Sequence, residues 1–332
     1  MEFCGSHTHA LLRYGIRDIL PATITMKSGP GCPVCVTSTH DIDTAMAIAT
    51  TPGTIVATYG DLVRVPGTHG SLERARASGA DVRIVYSALD AIALAEQNPS
   101  RRIVLAGIGF ETTAPTVAAS VLAASKKGLG NFFVLSLLKL TPPVMSALLQ
   151  RGEVRIDGIM CPGHVSVITG TEPYHSIPSR FGVGCVVSGF EPLDMLRAIE
   201  LLVRQFESGA PAVDNAYKRA VSENGNEVAR RHIDQVFEPC DAEWRGLGTV
   251  AASGLTLRHQ YEAFDALVAF APHTEPSVEP AGCRCGDVLR GSISPRECPL
   301  FGTACTPERP VGPCMVSHEG ACAAHFSYAA DA

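Results

Sequence analysis

Short apolar runs alternate with helical segments over residues 1 to about 215, and this alternation limits the possible folds more than any other feature. The expected strands are "TITMKSGPG", "TIVATYG", "VRIVYS", "RRIVLAGIGF", "NFFVLSLL", "IDGIMCPG" and "GCVVSGF", with a shorter one at "MEFCG". The expected helices include "DIDTAMAIAT", "ALDAIALAEQ", "TVAASVLAASKK" and "PLDMLRAIELLVRQFES". Apolar strands separated by helices predict an α/β fold with parallel sheets that are covered on both faces.

The order of the segments predicts three domains. Eight strands can form one large sheet or two of four, and the tripeptide "GFE" ends two of them, at residues 109–111 and 189–191. With the polar stretch "AEQNPSRR" as a boundary, we predict two similar parallel-sheet α/β domains, over residues 1–98 and 99–212. From residue 213 a predicted helix, "NAYKRAVSENGNEVARRHIDQVF", leads into a cysteine-rich segment with little periodicity. We assign residues 213–332 to a helical and loop-rich third domain.

Composition narrows the functional classes. Apolar residues make up 46% of the chain and charged residues 18%, which suits a large buried core. The net charge of −6, without a long basic run, predicts no nucleic-acid partner and no electrostatic membrane anchor. No secretion signal or bilayer-spanning apolar run is visible, so we expect a cytoplasmic protein. Twelve cysteines in a reducing compartment predict metal or redox chemistry, or both.

Motifs with unusual residues follow the predicted strands. They are "CGSHTH", "GPGCPVC", "GDLVRVPGTHG", "GFETT" and "CPGHVSV". Ligands of open parallel sheets bind beyond the carboxyl ends of the strands, so these motifs are candidates for one site. Glycine-rich turns are also the ordinary connection between a strand and a helix, which is the structural alternative for each motif.

The pair Cys32 and Cys35 in "GPGCPVC" is predicted to be redox-active. Ser38 or Thr39 can cap the helix that follows, so Cys35 is expected near a helix N-terminus. The partial positive charge there favours a thiolate over a thiol. The alternative is half of a zinc site, completed by the cysteine and histidines of "CGSHTH".

Four further residues are candidates for catalytic roles. Cys4, with His7 close behind it, can be a nucleophile or a metal ligand. Glu111 in "GIGFETTAPTV" lies in a turn that can bind an anion or simply shape the chain. His164 in "CPGHVSV" can face the site or lie in the core.

The C-terminal segment holds six cysteines within 40 residues, at positions 283, 285, 298, 305, 314 and 322. Their spacing matches neither a zinc ribbon nor the ferredoxin C-x2-C-x2-C run. Soft thiolates in a glycine-rich segment with few core residues predict a metal site that stabilises the fold. An iron–sulfur cluster is favoured over zinc, and four of the six cysteines are enough to bind one.

The chain resembles the HypD family of hydrogenase maturation proteins over nearly its whole length. The matching stretches are "CGSHTH", "GPGCPVC", "GDLVRVPGTHGSL", "GADVRIVYSALDA", "GFETT", "PGHVSVITGT", "GFEPLD", "EWRGLG", "CRCG", "CPLFG" and "MVSHEGACAA". The resemblance implies two α/β domains and a domain with a [4Fe-4S] cluster. It also implies assembly of the Fe(CN)2CO unit of nickel–iron hydrogenases, with a small HypC-type chaperone and a HypE-type cyanide donor.

The same resemblance implies roles for particular residues. The family's cluster pattern, C-x12-C-x6-C-x16-C, falls on Cys285, Cys298, Cys305 and Cys322. It leaves Cys283 and Cys314 as extra cysteines. The family's single essential cysteine falls on Cys4, the expected ligand of the maturing iron, and its CxxC falls on Cys32 and Cys35. Its cluster-proximal acid falls on Glu319.

One position departs from the family pattern. The first motif reads "CGSHTH" here, where "CGGHTH" is common in the family. Ser6 therefore requires a backbone conformation that tolerates a side chain.

Three functions compete at this point. In the first, the protein is a redox-active assembly scaffold, in which the cluster passes electrons to the CxxC pair beside an iron held by Cys4 and a partner thiolate. In the second, it is a stand-alone iron–sulfur disulfide reductase, which leaves Cys4 and the histidines without a role. In the third, it is a binding protein stabilised by zinc.

Overall fold

A four-stranded parallel sheet is built from the first 140 residues. The structure, a computed structural model, describes residues 1–328. Its strands have the order β2-β1-β3-β4, and the inner strand β3 is buried along nearly its whole length. The elements are α1 (Gly5–Arg13), α2 (Ile16–Ile19), α3 (Pro33–Val36), α4 (Thr39–Ala49), β1 (Thr54–Thr58), α5 (Leu72–Ala77), β2 (Asp81–Ile84), α6 (Ala88–Gln97), β3 (Arg102–Gly109), α7 (Ala114–Lys127) and β4 (Phe132–Leu138).

A second parallel sheet follows, with three strands in the order β5-β6-β7. Its long helix α11 begins with a proline and reciprocal hydrogen bonds between Glu191 and Asp194, which satisfy N–H groups of the first turn. The elements are α8 (Thr141–Arg151), β5 (Gly158–Pro162), α9 (Gly163–Thr169), α10 (Ser176–Phe181), β6 (Gly184–Ser188), α11 (Pro192–Ser208) and β7 (Val213–Asn215).

The first three residues extend this second sheet. Met1 accepts a backbone hydrogen bond from Met160 (2.9 Å), and Phe3 donates one to Met160 (3.2 Å). On the other side, Glu2 donates to Lys27 (2.9 Å). The predicted strand in "TITMKSGPG" is therefore wrong as a regular strand, since this segment makes only an isolated bridge, between Glu2 and Ser28. The early pairing carries the "CGSHTH" and "GPGCPVC" turns to the carboxyl edge of the second sheet.

The last third of the described chain begins with a helix and an antiparallel hairpin. Strands β8 and β9 pair with each other, and β9 packs against β4 of the first sheet. The helix predicted from residue 215 is wrong in its first half, because it begins only after Asn226, whose side chain caps it. The elements are α12 (Glu227–Val236), β8 (Phe237–Trp244), β9 (Gly248–Leu257), α13 (Ala266–Phe270), α14 (Cys285–Arg290) and α15 (Ala321–Tyr328).

Short 3-10 turns complete the described elements, at Gly60–Arg64, Glu172–Tyr174, His259–Phe264, Pro295–Glu297 and Pro313–Met315. No helix within residues 1–328 combines the length and the apolar character that crossing a bilayer needs.

The predicted α/β class with parallel sheets is confirmed. The two sheets differ in strand number and order, and the first sheet runs across the expected boundary at residue 98, because β1 pairs with β3. The similarity of the two α/β units and the division into domains at residues 98 and 212 stay predictions.

The turn before α3 packs directly against the turn before α1. Gly5 donates a backbone hydrogen bond to the carbonyl of Gly31 (2.9 Å). A Cβ atom added at Gly31 would lie 2.2 Å from the Cys4 nitrogen and 2.4 Å from the Phe3 carbonyl carbon. Only glycine fits there, because the neighbouring atoms belong to the backbone and cannot rotate away.

The hairpin of β8 and β9 is hydrogen-bonded to the C-terminal end of α3. Arg245, between β8 and β9, donates its backbone N–H to Val36 (2.9 Å) and its Nε–H to the carbonyl of Thr37 (3.0 Å). The neighbouring Trp244 is fully buried, and its indole N–H donates to Ser253 (2.7 Å). The short helix that carries the CxxC pair is thus fixed at both ends by segments distant in sequence.

We predict that Gly31→Ala destabilises the fold by ~1–3 kcal/mol, because the added methyl group must displace backbone. The free energy of unfolding from denaturant titration measures this. Gly130→Ala is the matched control, since a Cβ atom at Gly130 meets no neighbouring atom within 4 Å. Equal stability of the two variants would contradict the close packing.

Candidate functional site

Cys4 lies at the N-terminus of α1, where its sulfur is buried. The residue is the N-cap of the helix, and its backbone N–H donates to the carboxylate of Glu2 (3.1 Å). Burial raises the pKa of the Cys4 thiol to about 12, and the nearby Glu319 carboxylate adds to the increase. At neutral pH the sulfur therefore carries a proton, which a metal ion must displace in order to bind.

The CxxC pair is formed in the short helix α3. Cys32 is its N-cap, and Cys35 lies in its single turn with its N–H donating to the Cys32 carbonyl (3.1 Å). The predicted cap of the next helix is confirmed, because the Ser38 hydroxyl accepts from Asp41 in a capping box. Both residues are buried, and each thiol affects the pKa of the other.

The two thiols of the pair differ strongly in acidity. Burial is the largest influence on both and raises the pKa of Cys32 well above its usual range. Burial acts in the same direction on Cys35, but hydrogen bonds from Cys314 and Cys32 outweigh it and lower its pKa to about 6. A pair with one thiolate and one thiol is the arrangement that thiol–disulfide exchange uses.

Cys314 connects the CxxC pair to the cysteines of the C-terminal segment. The thiols of Cys285, Cys322 and Cys35 lie close enough to raise its pKa well above the usual range. The Cys285 and Cys314 sulfurs are 2.7 Å apart, and the Cys35 sulfur lies 3.9 Å from the carbonyl oxygen of Pro313. Cys314 was an extra cysteine by spacing, and only the three-dimensional packing reveals its position between the two groups of thiols.

A cleft opens beside Cys4, at the carboxyl edge of the second sheet. Its aromatic floor is Phe190, which stacks on His7 at 4.8 Å and on His164 at 3.9 Å between ring centroids. Polar side chains that line the cleft include Ser6, His9, Arg13, His164, His318 and Glu319. The predicted residues His164 and Glu319 therefore meet near Cys4, and His9 and His318 join them.

His7 is fully buried behind the cleft. Its Nε2–H donates to the carbonyl of Gly189 (2.9 Å), and burial lowers the pKa of the ring to about 4. The imidazole is therefore neutral at pH 7, with its proton on Nε2. Its Nδ1 atom is buried and has no hydrogen-bond partner within residues 1–328. This leaves one unused acceptor behind the Cys4 turn.

Glu319 supplies negative charge at the centre of the site. Its carboxylate accepts a hydrogen bond from Ser6 (2.5 Å), and its charge acts on the thiols of Cys4 and Cys32 and on His164. Gly5 makes this approach possible, because an added Cβ atom there would lie 2.5 Å from the Glu319 carbonyl oxygen. This acid, between Cys314 and Cys322, is thereby held over the first turn of α1.

Glu111, the remaining candidate, does not line this cleft. Its buried carboxylate accepts hydrogen bonds from the backbone N–H (2.8 Å) and the hydroxyl (2.9 Å) of Thr141, the first residue of α8. Burial raises the pKa of Glu111 to about 7. The contacts support the structural alternative for the "GFETT" turn, in which the carboxylate caps a helix.

The six cysteines of the C-terminal segment line one small pocket together with Phe301, Gly312 and Met315. The Cys305 sulfur accepts a hydrogen bond from the backbone N–H of Val311 (3.3 Å). No three His, Cys, Asp or Glu side chains in the described part of the chain are grouped to chelate a single metal ion. A pocket lined only by thiols and apolar groups, with an N–H directed at one sulfur, fits the donor set of an iron–sulfur cluster.

Comparison with known proteins gives the family. The HypD family model, described as "Hydrogenase formation hypA family", matches residues 1–329. The hydrogenase maturation factor HypD2 of Bradyrhizobium diazoefficiens is 50% identical over 99% of this chain and 88% of its own length. The HypD of Rhizobium leguminosarum is 49% identical over 99% of this chain and 87% of its own. The HypD of Escherichia coli is 45% identical over 99% and 88%. The chain belongs to the HypD family.

Proposed function

We propose that the protein is a redox-active scaffold on which the Fe(CN)2CO unit of nickel–iron hydrogenases is assembled. The family assigns it to hydrogenase maturation, as the names of its relatives state. The scaffold works with a small HypC-type chaperone, which supplies a second thiolate to the iron, and with a HypE-type cyanide donor. The iron unit is the cargo of the protein rather than its resident cofactor.

The observation that carries this proposal is the convergence of three separate groups of thiols. The turn with Cys4 packs on the turn with Cys32, and Cys35 contacts Cys314 in the C-terminal segment. The turn that carries the thiol for the cargo thus contacts the turn that carries the thiol pair, and the thiol pair lies beside the thiol-lined pocket for a cluster. A protein that used only one of these groups would not need the other two beside it.

Cys4 is the residue we assign to the incoming iron. Its thiolate is a soft, electron-rich ligand, which suits iron that also binds CO and cyanide. Because the pKa of the free thiol is about 12, iron binding must displace the proton, and binding strengthens as the pH rises. Burial of Cys4 and the stacked rings of Phe190 and His164 limit the access of water to the bound cargo.

Cys32 and Cys35 are the thiol pair that we assign to electron supply. If the two thiols closed to a disulfide, they would release two protons and pass two electrons to the iron cargo at Cys4, and two electrons from the proposed cluster with two protons would restore the dithiol. Both are buried, with 4% and 0% of their surface exposed, so an external protein disulfide cannot reach them without a rearrangement. This burial disfavours the stand-alone disulfide reductase and favours a partner inside the protein.

The C-terminal thiols are proposed to hold a [4Fe-4S] cluster, through Cys298, Cys305, Cys322 and Cys285. Such a cluster, when bound, supplies single electrons at a potential set by its surroundings. The contact between Cys285 and Cys314 competes with ligation by Cys285. Cys283 lines the same pocket and is the alternative fourth ligand.

We predict that Cys4→Ala prevents loading of the iron unit. Wild-type protein, purified without oxygen together with its small partner, should show CO and cyanide bands in the infrared spectrum, and the variant should show none. Cys240→Ala is the control, because Cys240 lies on strand β8, away from the cleft. Unchanged bands in the Cys4 variant would exclude Cys4 as the iron ligand.

We also predict that Cys298→Ala, Cys305→Ala and Cys322→Ala each lower the iron and sulfide content severely, because every cluster ligand is needed. Cys283→Ala and Cys285→Ala then identify the fourth ligand, since only the ligand's replacement should remove the cluster. Iron and sulfide analysis of anaerobic protein measures both. A colourless wild-type preparation that contains zinc alone would refute the cluster.

The third expectation concerns the CxxC pair. Mild oxidation of anaerobic protein should join Cys32 and Cys35 in a disulfide, which peptide mapping by mass spectrometry detects. Cys32→Ser should abolish this bond, whereas Cys161→Ser, on strand β5, should leave it intact. If oxidation joins Cys35 to Cys314 instead, the CxxC pair is not the disulfide-forming unit.

A further inference from the structure

Ser6 lies in the site, and the proposed function gives it no role. Ser6 lies in the first turn of α1, where the helical backbone accepts a side chain without strain, as the departure from the family motif requires. Its hydroxyl donates to Oε1 of Glu319 across a distance of 2.5 Å. The two residues are 313 positions apart, so this hydrogen bond joins the two ends of the chain at the cleft.

The backbone of Glu319 is already fixed by other contacts. Its N–H donates to the Ser317 hydroxyl (3.3 Å), and Arg64 donates to the carbonyl of Val316 in the same loop (2.7 Å). None of these contacts orients the carboxylate. Within residues 1–328, Ser6 is the hydrogen-bond donor to that group. A free glutamate side chain samples several rotamers, so the hydroxyl selects one of them.

The position of this carboxylate matters for the charges of the site. Its negative charge acts on the Cys4 and Cys32 thiols and on the imidazoles of His9 and His164. Hydrogen bonds to a charged acceptor are stronger than those between neutral groups, and this one lies in a partly buried cleft. The Ser6 hydroxyl therefore holds a charge in place rather than a neutral group.

We propose that Ser6 is a positioning residue, which acts through Glu319 by holding its carboxylate beside Cys4 for loading of the iron unit. This inference rests on the proposed function for its consequence, but its structural part stands on the hydrogen bond alone. Ser6 itself touches no cargo. Removal of its hydroxyl should leave the cysteine ligands in place and release the carboxylate.

A double-mutant cycle tests the proposal. The readout is the rate at which CO and cyanide infrared bands appear in anaerobic protein with its small partner. Ser6→Ala should slow this rate by about tenfold, the size expected for loss of one hydrogen bond to a charged group. Ser6→Thr keeps the hydroxyl and should restore the rate. Combined with Glu319→Gln, Ser6→Ala should cause a much smaller additional loss, since a neutral amide no longer needs the same orientation.

The outcomes separate a positioning role from a structural one. An equal loss in the wild-type and Glu319→Gln backgrounds would show that Ser6 acts independently of Glu319, and no loss would refute the proposal outright. Ser208→Ala is the control, because this exposed serine donates to the carbonyl of Gln205 within α11 (3.2 Å). Iron and sulfide content, which Ser6→Ala should not change, reports whether the variant is intact.

A second measurement keeps the inference independent of the proposed function. Crystal structures of Ser6→Ala and Ser6→Thr should differ in the Glu319 rotamer, with the carboxylate displaced only in the alanine variant. If wild-type protein never shows the infrared bands, the scaffold function fails while the rotamer comparison still decides the role of Ser6. If the Glu319 carboxylate stays in place in Ser6→Ala, the proposed positioning role of Ser6 is wrong.

Discussion

The site depends on one close approach between two backbone turns. The missing side chain at Gly31 lets the turn before α3 lie against the nitrogen of Cys4, and the Gly5–Gly31 hydrogen bond locks the contact. This contact sets the approach of Cys4 to the CxxC pair, because both are attached to helices that begin at it. Gly5 likewise lets the loop that carries Glu319 pack against the start of α1, because it has no side chain there. The arrangement thus depends on the absence of side chains at Gly31 and Gly5 more than on any charge.

Burial and hydrogen bonding then determine the protonation states of the groups in the site. Burial raises the pKa of the Cys4 thiol and lowers the pKa of the His7 ring, so both groups are neutral at pH 7. Cys35 differs from Cys4, because hydrogen bonds from two neighbouring thiols lower its pKa to about 6. The charged side chains that line the cleft are therefore few, namely Arg13 and Glu319.

Local patterns predicted much of the fold, and pairing between distant segments is what they could not predict. Helix α11 is found where its periodicity places it, with the predicted bounds. The hairpin of β8 and β9 was missed because its exposed, proline-containing first strand lacks the apolar run of a buried one. In the site, the motifs identified Cys4, the CxxC pair and Glu319, which the close packing of their turns brings together. The contacts of Cys314 and the capping role of Glu111 depend on tertiary packing, for which neither spacing nor composition carries a signal.

The pairing of the chain start with β5 also affects how the protein is made. The amino group of Met1 donates to the carbonyl of Gly158, a separation of 157 residues, and the Ser6–Glu319 contact closes a loop nearly as long as the chain. Contacts of such sequence separation form late, since the entropy of closing the loop must be overcome first. During synthesis, Cys4 and the CxxC pair therefore emerge from the ribosome long before their partners. Their sulfurs stay unprotected until these later segments have been made, which makes oxygen exposure during synthesis a hazard for this fold.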